Sequence, residues 1–398
     1  MIAGLARFCN GDVGRAEDLA QDALVSALET WPREGVPRNP GAWLMTTAKN
    51  RQIDLARRAR VFQVKVEELG RELPVAAPEP DPEAIDDDVL SLVFTTCHPV
   101  LSQESQVALT LRMVGGLKTE EIARAFLTSD STIGQRVSRA KRTLAESEVP
   151  FEVPPPEQRL ERMAAVLGVI YLIFNEGYSA TTGEEWVRLD LCDDAVRLGR
   201  MMQQLMPQEA EVHGLAALME LQASRFPTRI TADGSAIPLE KQNRQFWDRL
   251  AIDRGLKAIE RAKAAPTRSG SYTLQAEIAA CHATPRHAED TDWFRIAALY
   301  RDLSNLTGSP IVELNRAVAV GRASGPEAGL RVLDSIADDP ALANYHLLPI
   351  VQGDLLEKAG RVAEAAEEFD RAAGMTRNER EREALIRRRN ALRTNAET

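Results

Sequence analysis

Cysteine and histidine are scarce in this chain, and neither falls in a pattern that holds a metal ion. Cys9, Cys97, Cys192 and Cys281 are scattered, without a CxxC pair and without histidines at zinc-finger spacing. Cys97 precedes His98, a pair more typical of a core or surface position than of a metal site. Isolated cysteines suit a reducing cytoplasm, which we predict as the location. The sequence therefore predicts no metal site and no cofactor.

Long apolar runs, a secretory leader and catalytic motifs are also absent. No run of about 18 apolar residues occurs, so we expect a soluble chain without a membrane span. Since no nucleophile motif, glycine-rich phosphate loop or metal-ligand cluster is visible, we expect no catalytic residues and no enzyme. The net charge of -10 excludes a general DNA-coating protein. Any DNA binding must therefore depend on local basic helices.

The most informative segment runs from Gly116 to Leu144 and predicts two short helices joined by a tight turn. Apolar residues recur at helical spacing on the first helix (Ile122, Ala123, Phe126) and on the second (Ile133, Val137, Ala140, Leu144). The rest of the second helix is polar and basic: Ser131, Thr132, Gln135, Arg136, Arg139, Lys141 and Arg142. This layout is typical of a helix-turn-helix that reads the DNA major groove. An amphipathic hairpin with a solvated basic face remains the alternative.

The N-terminal segment predicts two further helices of opposite character. The first, within Gly11–Pro32, combines an apolar stripe with an outer polar and acidic group of Glu17, Asp18, Gln21 and Asp22. The stripe consists of Ala16, Leu19, Ala20, Ala23, Leu24, Ala27 and Leu28. The second begins near Ala42. Its later half is basic, with Lys49, Arg51, Arg57, Arg58 and Arg60 against a single Asp54.

Together these segments resemble the extracytoplasmic-function sigma factors of bacterial RNA polymerase. Residues 16–24 (AEDLAQDAL) resemble conserved region 2.2, which docks on the polymerase. Residues 40–58 resemble regions 2.3 and 2.4, which open and read the -10 promoter element. The helix-turn-helix resembles region 4.2, which reads the -35 element. The two motifs stand in the expected order and cover about the first 148 residues.

The resemblance implies two groups of site residues. Core RNA polymerase would contact Glu17, Asp18, Gln21 and Asp22. Promoter DNA would contact Lys49, Asn50, Arg51, Arg57 and Arg58 at -10, and Ser131, Thr132, Gln135, Arg136, Arg139 and Arg142 at -35. An ordinary solvated helix face and a local Asp54–Arg58 ion pair are the structural alternatives. Trp43 could stack on an unpaired base, but we expect it in the core.

Two features depart from the family pattern. A helix that usually precedes region 2.2 is represented only by its end, so either Met1 is a misplaced start or the region 2 bundle is incomplete. Gly134 lies inside the predicted recognition helix, where it should cost about 1 kcal/mol relative to alanine.

Residues 159–398 predict consecutive amphipathic helices with short turns, among them helices at 243–264 and 271–283. The unit at 354–375 resembles a tetratricopeptide helix pair. Together with the strings at 171–183 and 314–320, this resembles the sigma factor subgroup that carries a fused tetratricopeptide-like C-terminal domain. Such a stack suits a protein or peptide ligand. The string Asn175-Glu176-Gly177-Tyr178 favours a polar loop at a helix end over a ligand site.

The predicted fold is all-α. We expect region 2 at 1–62, an extended acidic linker at 63–88, region 4 at 89–148, a proline-rich linker at 149–158 and the helical domain at 159–398. The predicted function is that of a promoter-specificity subunit with a regulatory C-terminal domain. The alternatives are a helix-turn-helix regulator that acts without polymerase and a helical-repeat scaffold with a degenerate sigma region. The promoter sequence, the inducing signal and the oligomeric state are not predicted.

Overall fold

The chain is described here from a computed structural model, which covers residues 1–9, 11–64, 82–126, 128–178, 189–229, 231, 237–376 and 379–396. The regular structure among these residues is helical, with no strand, which confirms the predicted all-α fold. Two compact units divide the chain, Met1–Leu205 and Met206–Thr398. The division falls within the segment 159–398 that the sequence analysis treats as one domain. None of the described helices is long and apolar enough to cross a membrane.

The first unit contains nine helices in the part of it that the structure describes. They are α1 (Ile2–Phe8), α2 (Val13–Glu34), α3 (Pro40–Val64), α4 (Pro82–Thr96), α5 (Gln103–Thr110), α6 (Thr119–Ala125), α7 (Asp130–Glu146), α8 (Pro156–Tyr178) and α9 (Leu189–Leu205). A π-helical turn, Leu111–Gly115, follows α5. Helices α1, α2 and α3 pack on one another, and α1 also packs on α4.

Helices α8 and α9 belong to this first unit. Helix α8 packs on α4 and α5, and α9 packs on α8 and α4. The guanidinium of Arg162 on α8 donates a hydrogen bond of 2.7 Å to the Phe94 carbonyl oxygen of α4. Arg197 on α9 donates another, also 2.7 Å, to the Gly115 carbonyl oxygen. The helices after the proline-rich segment therefore stabilise the same compact body as the helix-turn-helix.

The second unit is a succession of helices, each packed mainly on helices one or two places away along the chain. They are α10 (Ala210–Ala223), α11 (Arg249–Ala264), α12 (Ser271–Ala283), α13 (Trp293–Thr307), α14 (Pro310–Ser324), α15 (Pro326–Asp334), α16 (Leu347–Lys358), α17 (Val362–Met375) and α18 (Glu379–Ala396). Its end is built around Phe369, which is fully buried among the apolar side chains of α14 to α18. This local packing is typical of helical-repeat domains.

Several predicted boundaries differ from the structure. Residues 82–88 are not extended as we expected, because α4 begins at Pro82, whose restricted φ suits the first helical position. Residues 65–81 of that segment lie outside the described residues. Residues 175–178 form the last turn of α8 rather than a loop. The helix predicted at 243–264 begins later, at Arg249, because the Asp248 side chain accepts hydrogen bonds from the N–H groups of Leu250 and Ala251.

Candidate polymerase and DNA interface

Helices α6 and α7 form the expected pair with a short connection. The hydroxyl of Ser129 accepts a hydrogen bond of 3.1 Å from the Thr132 N–H, so it caps α7. The inner face of α7 is buried at each of the four predicted positions, Ile133, Val137, Ala140 and Leu144. Burial of this stripe fixes which face of α7 is turned outward.

The outer face of α7 carries the candidate -35 contacts. Ser131, Gln135, Arg139 and Arg142 are exposed, whereas Thr132 and Arg136 are half-buried. Arg136 forms an ion pair of 2.7 Å with Glu104 on α5. In this conformation its guanidinium is therefore partly occupied, and the exposed Gln135 and Arg139 are better placed to meet base edges or phosphates.

The candidate -10 contacts lie on the later half of α3. Asn50 and Arg51 are exposed, and the guanidinium of Arg51 forms an ion pair of 3.4 Å with Asp22 of α2. The ammonium of Lys49 lies 5.6 Å from the centre of the Phe8 ring. The side chains of Arg57 and Arg58 lie outside the described part of the structure.

The candidate polymerase contacts on α2 divide into two groups. Asp18, Gln21 and Asp22 are exposed. Glu17 is only 5% exposed and points toward the helix-turn-helix segment instead of solvent. One helical turn thus places three of the four side chains on an open surface and the fourth inside the unit.

Two cations hold the Glu17 carboxylate. Arg112, in the π-helical turn, contacts Oε1 through Nη2 at 2.6 Å and through Nε at 2.9 Å. Lys141, on α7, contacts Oε2. Burial acts to raise the pKa of Glu17, but the hydrogen bonds and charges of Lys141 and Arg112 outweigh it and leave the pKa below its usual range. Glu17 is therefore ionised and doubly paired.

The sequence analysis missed several side chains of this surface. Arg112 was not singled out, and Lys141 was assigned only to the outer basic face, because nothing in local spacing links either residue to Glu17. Val25 was also missed, and Leu28 was assigned only to the apolar stripe, although both follow Asp18, Gln21 and Asp22 at helical spacing. Both are exposed, and Leu28 is 75% exposed. The outer face of α2 is therefore acidic at one end and apolar at the other.

The remaining candidates of the sequence analysis lie apart from this surface. Trp43 is half-buried and packs edge-on against Trp31, with ring centres 5.5 Å apart. Cys97 is buried, and burial raises the pKa of its thiol to about 11. Among the described residues, the structure brings together no group of three or more metal-binding side chains.

A small apolar pocket of about 180 Å³ lies between the helix-turn-helix, α5 and α8. Phe126, Ile133 and Arg136 line one side, and Leu172 and Glu176 of α8 line the other. The pocket places α8 beside the half-buried part of the recognition helix. Residues of α8 and of α7 therefore line the same pocket.

Comparison with known families divides the chain into three matched segments. The family model described as Sigma-70 region 2 matches residues 1–61, and Sigma-70, region 4 matches residues 91–144. Residues 162–263 match a family of unknown function, DUF6596. This third match begins in α8 of the first unit and ends in α11 of the second. No solved structure matches the chain.

Relatives of the chain include one of similar length and two that match less than half of it. "Uncharacterized protein R00370" of Rhizobium meliloti is 43% identical over 95% of this chain and 89% of its own length. "ECF RNA polymerase sigma factor BldN" of Streptomyces coelicolor is 31% identical over 34% of this chain and 51% of its own length. "Probable ECF RNA polymerase sigma factor SigI" of Mycobacterium tuberculosis is 24% identical over 42% of this chain and 58% of its own length.

Proposed function

Because the chain belongs to the extracytoplasmic-function sigma factors, in a form with a fused helical C-terminal domain, we propose that it binds core RNA polymerase and directs initiation at -10/-35 promoters. The observation that carries the proposal is the presence, in one chain and in order, of region 2 and a capped helix-turn-helix with an open polar face. Sigma factors are transcription factors rather than enzymes, and no catalytic domain is among the matched families.

Reading of the -35 element is assigned to the outer face of α7. Its N-terminal turn enters the major groove, where Gln135 and Arg139 reach base edges and Arg142 meets phosphate. Opening of the -10 element is assigned to α3, where Lys49, Asn50 and Arg51 meet phosphates and exposed bases.

Docking on polymerase is assigned to the outer face of α2. Polar contacts come from Asp18, Gln21 and Asp22. Apolar surface, which is removed from water on binding, comes from the neighbouring Val25 and Leu28. A polar rim beside an apolar patch is the usual composition of a protein interface. Burial of Leu28 against polymerase would therefore strengthen binding without any change within the chain.

The C-terminal domain is proposed to regulate initiation and to bind a protein or peptide ligand. Support comes from α8, which packs on α4 and α5 and lines a pocket with Ile133 and Arg136 of the recognition helix. A ligand that moves α8 would therefore change the pocket that α8 lines together with α7. Removal of residues 206–398 tests this role better than removal of 159–398, because it leaves α8 and α9 on the first unit. Unchanged transcription after that deletion would contradict the regulatory role.

Run-off transcription with core polymerase on genomic fragments tests the proposed function. Specific transcripts should depend on this protein, and Gln135→Ala should weaken promoter binding by about 1–3 kcal/mol and relax sequence preference at one position. Gln158→Ala makes the same change at an exposed position of α8, so it is the matched control and should leave promoter binding and promoter choice unchanged. Operator binding without binding to core polymerase would instead indicate a regulator that acts alone.

A further inference from the structure

A pocket beside the recognition helix lies where several helices come together. Helices α7 and α8 both pack on α5, and residues of all three, with Phe126 after α6, line a pocket of about 180 Å³. We call it the α7–α8 pocket. Its apolar lining consists of Val107, Ala108, Phe126, Ile133 and Leu172. All of these residues belong to the first compact unit.

The size and the lining of the α7–α8 pocket suit a single aromatic ring. An apolar protein cavity of about 150 Å³ holds one benzene molecule, so a pocket of about 180 Å³ has room for one ring with a short substituent. Because an apolar wall offers water no hydrogen bonds, a ring that displaces water there is favoured by the area that it removes from solvent. Phe126 adds an aromatic surface against which such a ring can pack.

The polar side chains that line the pocket set the preferred charge of a ligand. They are Gln103 and Glu104 at the start of α5, Arg136 of α7 and Glu176 in the last turn of α8. Carboxylates outnumber guanidinium groups in this set, so an ammonium group gains more there than a carboxylate does. The described lining therefore favours an aromatic ring that carries a positive charge.

The ion pair between Arg136 and Glu104 can be exchanged for a pair with such a ligand. Nη2 of Arg136 lies 2.7 Å from Oε2 of Glu104, and the Glu104 side chain is 72% exposed. Since an ion pair with so exposed a partner contributes little to stability, a second cation can compete for the Glu104 carboxylate. Arg136 is one of the candidate -35 contacts on α7. Its guanidinium would then be available to a DNA phosphate.

We propose that the α7–α8 pocket is a binding site for a small aromatic amine. The ring of the amine packs among the apolar side chains, and its ammonium group replaces Arg136 as the partner of Glu104. Arg136 then becomes available to promoter DNA, so the amine strengthens binding at the -35 element. The binding site is independent of the proposed function, whereas the effect on DNA rests on it.

Nuclear magnetic resonance of the full-length chain tests the binding site directly. Benzylamine, which is protonated at neutral pH, should shift the methyl signals of Val107, Ile133 and Leu172 with a dissociation constant on the order of 1 mM. Benzyl alcohol has the same ring without the charge and should bind about two- to fivefold more weakly, and benzoate more weakly still. Absence of shifts at these methyl groups would overturn the site. Equal affinities of the three compounds would overturn the preference for a cation.

Two tryptophan substitutions on α8 separate filling of the pocket from a general change in the chain. Leu172→Trp places a bulky ring in the pocket and should abolish the benzylamine shifts of Val107 and Ile133. Leu160→Trp makes the same change at a position that is 72% exposed and should leave those shifts unchanged. Thermal unfolding checks that both variants fold. Unchanged benzylamine binding by folded Leu172→Trp would overturn the site. If that variant does not fold, Glu104→Gln takes its place, because it should reduce the preference for benzylamine over benzyl alcohol, and an unreduced preference would overturn the exchange at Glu104.

The effect on DNA is measured by fluorescence anisotropy with a promoter fragment found by run-off transcription. Saturating benzylamine should tighten binding of the fragment by about two- to fivefold, the contribution of an exposed ion pair that no longer competes. Glu104→Gln should bind as tightly without the amine and respond to it no further, while Glu157→Gln, at an exposed position of α8, should behave as the wild type does. Unchanged affinity of the wild type with benzylamine bound would overturn the release of Arg136. If no promoter fragment were found, the proposed function would fail, while the methyl shifts would still decide on the binding site.

Discussion

The two compact units differ in the interactions that hold together one helix contact in each of them. In the first unit, α2 meets the helix-turn-helix segment around the ionised carboxylate of Glu17, held by two cations. In the second unit, α16, α17 and α18 surround the Phe369 ring, whose burial removes a large apolar area from water. Charged contacts exchange readily with a competing charged surface, whereas apolar cores do not. We therefore expect the first contact to respond to changes of charge and the second to loss of apolar volume.

The largest expected loss of stability follows removal of the Phe369 ring from the second unit. Phe369→Ala deletes a side chain that is 0% exposed, so we expect a loss of about 3–5 kcal/mol in the free energy of unfolding. Phe294→Ala, at a position that is 69% exposed, is the control and should change it by less than about 0.5 kcal/mol. Hydrogen exchange should show the loss of protection at 347–396 with little change at 1–205. Equal losses of protection in both units would contradict the division into two separately stable units.

Two leucines on α2 separate the contribution of core packing from that of surface binding in the first unit. Leu19 is 2% exposed and Leu28 is 75% exposed. Leu19→Ala should lower the free energy of unfolding by about 2–5 kcal/mol. Leu28→Ala should leave stability nearly unchanged but weaken binding to core polymerase, measured by fluorescence anisotropy. Unweakened binding by Leu28→Ala would remove the apolar part of the proposed docking face.

The pH dependence of the first unit should identify its ionic contact. Because the pKa of Glu17 is lowered in the folded chain by Lys141 and Arg112 despite burial, its contribution is present above the ordinary glutamate pKa and is lost as the pH falls through the lowered value. At neutral pH, Glu17→Gln should cost about 1.5–3 kcal/mol. Urea unfolding at decreasing pH should show the two proteins converging. A difference that persists in acid would mean that packing, not charge, is responsible.

The substitution Gly134→Ala has the smallest expected effect on stability. A Cβ atom built at this position has no atom outside its own helix within 4 Å, so Gly134→Ala should stabilise α7 by about 1 kcal/mol through helix propensity. Thermal unfolding measures that gain. Promoter affinity, measured on the same sample, shows whether close approach to DNA needs the glycine. Reduced affinity with increased stability would assign the glycine to DNA binding.

Local patterns predicted the helices better than the contacts between them. Helix α12 spans the predicted 271–283, because its apolar periodicity and flanking turn residues are contained in one short segment. The start of α11 was wrong, since the Asp248 cap outweighs the apolar residues before it. The stripe on α2 was correct for Leu19 and Ala23 but not for Leu28, because helical spacing cannot tell which edge of a stripe has a partner.

The ionic contacts show where sequence reasoning fails. Asp18 and Glu17 are neighbours of like charge on α2, yet one is exposed and the other is buried between two cations. The difference in burial depends on Arg112 and Lys141, which are far from Glu17 in the sequence and meet it only in the folded chain. The same holds for Arg136, whose ion pair with Glu104 follows from the packing of α5 against α7. The proposed roles of these site residues in binding polymerase and DNA stay predictions.

The packing of α8 and α9 against region 4 has a consequence for how such chains can recombine. Because α8 packs on α4 and α5, and the Arg162 and Arg197 side chains donate hydrogen bonds to the carbonyl oxygens of Phe94 and Gly115, a hybrid joined just after region 4 would bring unmatched surfaces of two parents into contact. A hybrid joined after Leu205 would exchange only the distal helices. Shuffling between relatives should therefore tolerate crossovers near residue 205 and reject those near residue 150, so that region 4 and its two following helices are inherited together.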